Sequence, residues 1–160
     1  MVIVPIEPYG ATIHKTKDNP VPNVHKDFHG ALSYGLQFLE DAYGREGVRE
    51  FLSGLAATVY KPLCDDLRAR GLEALRDHWK TIFDLEGGGY EMHLEDDTLV
   101  LTVTRCPAVT HMQEHGYAIA DHFCEHTRIV NEAVCVAAGY ASSVDYDQSA
   151  GSCIQRFWKE

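Results

Sequence analysis

Three cysteines and one polar-rich stretch near the end carry most of the reactive side chains of this chain. Cys106 stands just before Pro107 at the end of an alternating, strand-like segment; Cys124 opens an amphipathic run; Cys153 begins the last strand-like segment. Thiolates serve as nucleophiles and as soft-metal ligands. At these three positions they read either as a cluster at one end of a sheet or as three buried structural thiols. The five cysteines include no C-x-x-C pair, so zinc-ribbon and thioredoxin-type sites lack their spacing. From Asp121 the pattern predicts a helix with Phe123, Thr127, Val130, Val134 and Ala137 on its core stripe and Gly139 as terminator. At about 100° per residue, Cys124, Arg128, Asn131 and Cys135 fall on an adjoining stripe. A thiol, a guanidinium and a carboxamide there make a cleft wall, or else an ordinary flank on which Arg128 snorkels and Asn131 pairs with backbone. On that helix His126 faces nearly opposite to Cys124 and makes a poor base for its thiol.

The segment from Asp145 to Phe157 is dense in polar groups for a strand-turn-strand. Asp147 and Gln148 have the chemistry to orient a substrate or a water, and Arg156 to grip a carboxylate in bidentate fashion. Asp147 serves equally well as a turn residue that accepts backbone N–H groups. His111-Met112-Gln113-Glu114-His115 and His122-Phe123-Cys124-Glu125-His126 both fit the H-x-x-E-H spacing of some zinc peptidases. With nine histidines in the chain, solvated helix turns explain both matches more simply.

The elements that must position these residues follow from periodicity. Residues 1–24 hold four of the six prolines and show no helical period, which predicts an extended arm lying on the body or on a partner chain. Phe28, Ala31, Leu32, Gly35, Leu36 and Leu39 predict a helix starting near Asp27 and ending at Gly44. Val48, Phe51, Leu52, Leu55 and Val59 predict a second, which Pro62 kinks or restarts up to Arg70. Leu72, Leu75, Trp79, Ile82 and Phe83 predict a third, closed by Gly87-Gly88-Gly89. The period then changes. Residues 90–105 alternate around Glu95-Asp96-Asp97-Thr98 and read as a hairpin. A short helix over Pro107–His115, the long helix and two strands near Tyr140–Tyr146 and Ser152–Trp158 follow. The expected fold is α+β: three N-terminal helices followed by a β-β-α-β-β sheet half, as a single domain over residues 25–160.

Composition excludes several classes. The chain has 160 residues, 45% hydrophobic and 24% charged, with a formal net charge of -10. That is a globular composition with room for one core. An acidic balance argues against nucleic-acid binding and against docking on anionic lipid. No stretch approaches the roughly 20 apolar residues of a membrane span, and Pro5 and Pro8 come too early for a signal peptide. A cytoplasmic address and free thiols are expected.

Arg105-Cys106-Pro107-Ala108, His122-Phe123-Cys124 with Thr127-Arg128 and Asn131-Glu132, Tyr146-Asp147-Gln148, and Gly151-Ser152-Cys153-Ile154-Gln155-Arg156-Phe157 resemble motifs of the L-2-amino-thiazoline-4-carboxylic acid hydrolase family. The likeness runs from about His25 to Trp158 and includes Tyr60-Lys61-Pro62-Leu63 and Leu72-Glu73-Ala74-Leu75. More distantly, the chain is similar to the 4-vinyl reductase domain of the haem-NO-binding superfamily, a small-molecule-binding domain some of whose members hold zinc through cysteines. The resemblance implies hydrolytic opening of a small carboxylated cyclic amidine or thiazoline ring. Cys106 or Cys124 is then the nucleophile and Asp147 the base and proton carrier. Asn131 and Gln148 hold ring nitrogens, and Arg128 or Arg156 pairs with the substrate carboxylate. The alternative is a binding or sensing domain without catalysis, in which Cys106, Cys124 and Cys153 hold zinc. The expected partners are a small anionic heterocycle and, through the N-terminal arm, a second copy of the chain in a homodimer.

Overall fold

Glycines set the joints of the helical half. The structure is a computed structural model and describes residues 24–160. α1 (Phe28–Val59) bends at Gly44, whose φ of 68° and ψ of -176° break the helical path. A residue without Cβ reaches that conformation without steric cost. α2 (Lys61–Arg70) carries Pro62 in its first turn, where the missing N–H is no loss. Gly71 separates it from α3 (Leu72–Glu86), which ends on Gly87 in the left-handed conformation. β1 (Gly89–Glu95) and β2 (Thr98–Arg105) form a hairpin. Its two-residue turn, Asp96-Asp97, has positive φ at both positions, as tight hairpins require. α4 (Pro107–Glu114), α5 (Glu125–Ala138), β3 (Tyr140–Asp147) and β4 (Ser152–Lys159) complete the chain. The four strands form one antiparallel sheet in the order β1-β2-β4-β3. The α+β architecture, with the helical half preceding the sheet half, is the expected one.

Two elements differ in phase from expectation. The long helix begins at Glu125, and Asp121–Cys124 are turns instead of its first coil. Its buried face comprises Ile129, Val130, Asn131, Val134 and Cys135, while Ala137 is exposed. α5 packs against β3, α1 and α2 at once, so its covered face is wider than one apolar stripe and takes in polar Asn131. In the part of α1 before Gly44 the buried positions are His29, Ser33 and Leu36, and Phe28 and Ala31 point out. The segment between α4 and α5 lies on this face. Ser33 Oγ donates to the Ala118 carbonyl at 3.1 Å and accepts from the Ala120 N–H at 2.8 Å. A polar residue is needed there because a covered backbone must find partners. The arm expected over residues 1–24, and the subunit exchange tied to it, lie outside the described residues except for Val24.

The sheet presents one face to the helices. Along it the register sets Tyr90, Val103, Cys153 and Tyr146 in one row and Met92, Leu101, Gln155 and Val144 in the next. Leu94, Leu99, Phe157 and Ser142 form the third row. Leu99, Leu101, Val103 and Phe157 are almost completely buried there and join Leu52, Leu67, Leu75, Phe123 and Val134 in one core. The period of two therefore delivers Cys153 and Gln155 to the same inner surface as the core. Among the described residues no helix is long and apolar enough to cross a membrane.

Candidate functional site

A cavity of about 360 Å³ separates the first row of the sheet from the helices. α1 and α3 wall one side with His29, Leu32, Leu52, Trp79, Phe83 and Glu86. α5 and the turn before it contribute Cys124, His126, Thr127 and Asn131; β2, α4 and β4 contribute Val103, Cys106, Cys153 and Gln155. Its size and its largely apolar lining with a few convergent polar groups are those of a small-molecule site.

Cys106, Cys124 and Cys153 all border this cavity. Each arrives by a different route. Cys106 follows the last residue of β2 and caps α4, and its N–H donates to the Gly151 carbonyl at 2.7 Å. Cys124 is the residue before α5. Cys153 faces inward from β4, opposite Val103 on one side and Tyr146 on the other. Burial raises the pKa of all three thiols. Cys124 is pushed up to about 12, by desolvation first and then by the other two sulfurs. For Cys106 the N–H groups of Val109 and Ala108 work in the opposite direction, but desolvation outweighs them. These are protonated thiols at neutral pH, and a nucleophilic role needs a base beside them.

His126, which also lines the cavity, is a candidate for that base. Its Nδ1 lies 2.5 Å from the Phe123 carbonyl, an arrangement that requires Nδ1 to donate, and Nε2 lies 3.3 Å from the Thr127 hydroxyl. Desolvation lowers its pKa, so the imidazole is neutral with Nε2 free to accept a proton. The expectation that His126 turns away from Cys124 assumed a helix through both residues. With α5 starting at Glu125, both line one cavity.

Asn131 and Gln155 form the buried polar core of the site. Asn131 Nδ2 donates to Gln155 Oε1 at 2.7 Å, and Gln155 Nε2 contacts Cys153 Sγ at 3.4 Å. Opposite them, His29 Nε2 lies 2.8 Å from Glu86 Oε2, with both side chains nearly covered. Residues in the first turn of α1 and at the end of α3 thus meet across 57 positions of sequence. Sequence reasoning missed this pair. The only available signal was the stripe His29, Ser33, Leu36, one residue out of phase with the apolar pattern that Phe28 suggested.

The remaining sequence candidates sit elsewhere. Asp147 is not among the cavity residues. It lies in the β3–β4 turn, where Oδ1 accepts from Ser149 Oγ at 2.6 Å and from the Ala150 N–H at 3.1 Å; those bonds lower its pKa. Gln148 acts as a clamp. Its Oε1 accepts from the Cys124 N–H at 3.0 Å and its Nε2 donates to the Ala120 carbonyl at 2.9 Å. It thereby holds the turn before α5, and with it Cys124, against the sheet. Arg128 pairs with Glu125 and Arg156 with Asp145 at 2.7 Å, and neither guanidinium borders the cavity. Of the two histidine motifs, His111 pairs with Asp27 at 3.0 Å and His122 with Glu40 at 3.0 Å. Among the described residues no group of three or more His, Cys, Asp or Glu side chains converges closely enough to hold a metal ion. The three sulfurs share a cavity without converging on one point. No protein-family model matches the chain and no curated protein matches it in sequence.

Proposed function

We propose that this protein binds one small, largely apolar molecule in the cavity between its helical half and its sheet. The observation that carries this reading is the convergence of three thiols, two imidazoles and a bonded carboxamide pair on one volume of about 360 Å³. Satisfying such groups in an apolar interior is costly unless they meet a ligand or one another. A screen of small heterocycles by thermal shift tests it: binders stabilise the fold in proportion to the logarithm of their concentration, and they protect Cys153 from alkylation. A flat screen with unprotected thiols would reject the reading.

A second reading, ring-opening hydrolysis of a cyclic amidine, draws support from the thiols and the neutral His126 in the same cavity. In it a thiol adds to the amidine carbon and its proton passes through His126 Nε2 to the ring nitrogen. The ring C–N bond of that adduct then breaks, leaving a free amine and a thioimidate on the cysteine; water adds to the same carbon and the C–S bond breaks, releasing the amide and regenerating the thiol. Asp147 Oδ1 is taken up by Ser149 and Ala150 in its own turn, so His126 serves better as that base. A carboxylate on the ring would find no arginine or lysine among the described wall residues, so a ring without one fits better. Loss of ring opening in both Cys106→Ala and Cys124→Ala is not required, since one thiol suffices; full activity in both variants and in His126→Gln would end this reading. A cytoplasmic, reducing address belongs to the same proposal, because it keeps the thiols free.

A further inference from the structure

The charge lining the cavity is one-sided. Among the described residues Glu86 is the only carboxylate of the wall, and no described lysine or arginine accompanies it. Its side chain is 13% exposed. Oε2 is engaged by His29 Nε2 at 2.8 Å, while Oε1 makes no hydrogen bond with any described residue. Lys26 donates to the Glu86 main-chain carbonyl at 2.5 Å and not to its carboxylate. Arg128 and Arg156 are held outside by Glu125 and Asp145. Three aromatic side chains, Tyr60, Trp79 and Phe83, stand on the same wall as Glu86.

We propose that the cavity selects a small organic cation, an apolar molecule carrying one ammonium group, with the Glu86 carboxylate as its counter-charge. The inference rests on the small-molecule reading given above and names the ligand class. A partly buried carboxylate with one oxygen unbonded to any described residue favours a cationic partner, because a carboxylate away from water is stable only when its oxygens are matched. One unbonded oxygen suits a point donor such as ammonium better than the fork of an amidinium or guanidinium, which uses both oxygens. The aromatic faces add cation–π attraction where water is excluded. Burial is the main cause of the raised pKa of Tyr60 and of Cys106, and the Glu86 carboxylate adds to it at both. An anionic ligand would meet the same field as repulsion.

Calorimetric titration of the full chain with three matched probes tests this: benzylammonium, benzyl alcohol and benzoate, repeated in the presence of a thiol-alkylating reagent. The expected result is benzylammonium bound on the order of tenfold more tightly than benzyl alcohol, benzoate weakest, and Cys153 protected from alkylation by the bound ammonium. In Glu86→Gln the preference for ammonium should vanish while benzyl alcohol still binds. Equal affinities for ammonium and alcohol in the wild-type chain would overturn the inference and leave the small-molecule reading standing. Ammonium binding without thiol protection would place it on the acidic surface and also overturn it. Failure of all three probes to bind would count against the cavity reading itself. The wild-type series decides the charge preference even if Glu86→Gln does not fold.

Discussion

The cavity and the β3–β4 turn are the two regions richest in reactive side chains, and they satisfy those side chains in opposite ways. In the turn, Asp147 bonds Ser149 and Ala150, two and three residues away. In the cavity, His29 meets Glu86 across 57 positions and Asn131 meets Gln155 across 24. A cluster of polar residues close in sequence can close on itself and need nothing more. Polar residues that meet only through the fold have been brought into the interior together, and each must be matched there. The contrast separates turn chemistry from a built site. Gln148 belongs to the first region by sequence and to the second by contact, since it clamps Cys124 and Ala120.

That contrast can be broken by mutation. The largest effect is expected for Asn131→Ala, which leaves the 3% exposed Gln155 without its 2.7 Å donor and opens a void. A loss of about 2–4 kcal/mol in unfolding free energy follows from an unpaired buried amide plus a small cavity, measured by urea denaturation. Gly151→Ala comes next. Gly151 has φ of 61°, and a Cβ there would lie 3.2 Å from Val109 Cγ1. A loss of about 1–2 kcal/mol is expected, together with a shift in the Cys106 environment, because the Gly151 carbonyl accepts the Cys106 N–H. Gln148→Ala should cost about 1 kcal/mol and, unlike a turn variant, speed alkylation of Cys124.

Acidification should act on the cavity before it acts on the turn. Burial lowers the His126 and His78 pKa values, so the unfolded chain binds protons that the folded chain refuses. Stability is then present above the unfolded histidine value of about 6.5 and is lost as pH falls through it. His126→Gln should flatten that decline in a series of denaturation curves. Asp147 has the reverse chemistry. Its folded pKa is lowered, so its contribution is present above the ordinary aspartate value of about 3.9 and disappears only as pH falls below it. Asp147→Ala should be the mildest of these variants. If it destabilises more than Asn131→Ala, the division between turn and cavity fails.

Much of the frame was legible in the chain itself. Gly44, Gly71, Gly87 and Gly139 interrupt or end helices where the pattern placed them, because positive φ is a local demand that glycine alone meets freely. The hairpin around Asp96-Asp97 and the two last strands, expected near 140–146 and 152–158 and found at 140–147 and 152–159, were legible because period-two alternation is likewise a local signal. The start of α5 was not. Asp121 looked like a helix cap, yet its N–H donates to Gln37 Oε1 at 3.1 Å, and the helix waits until Glu125.

Residue types and spacing alone determined the order of elements, the glycine joints and the candidacy of Cys106, Cys124 and Cys153. Those properties depend on neighbours within a few residues. Which polar groups share an interior, that Glu86 and His29 wall the cavity while Asp147, Arg128 and Arg156 stay out of it, was decided only by packing. A helix or strand fixes the direction of a side chain relative to its own axis, and only the docking of α1 and α3 over the sheet turns that direction into a partner.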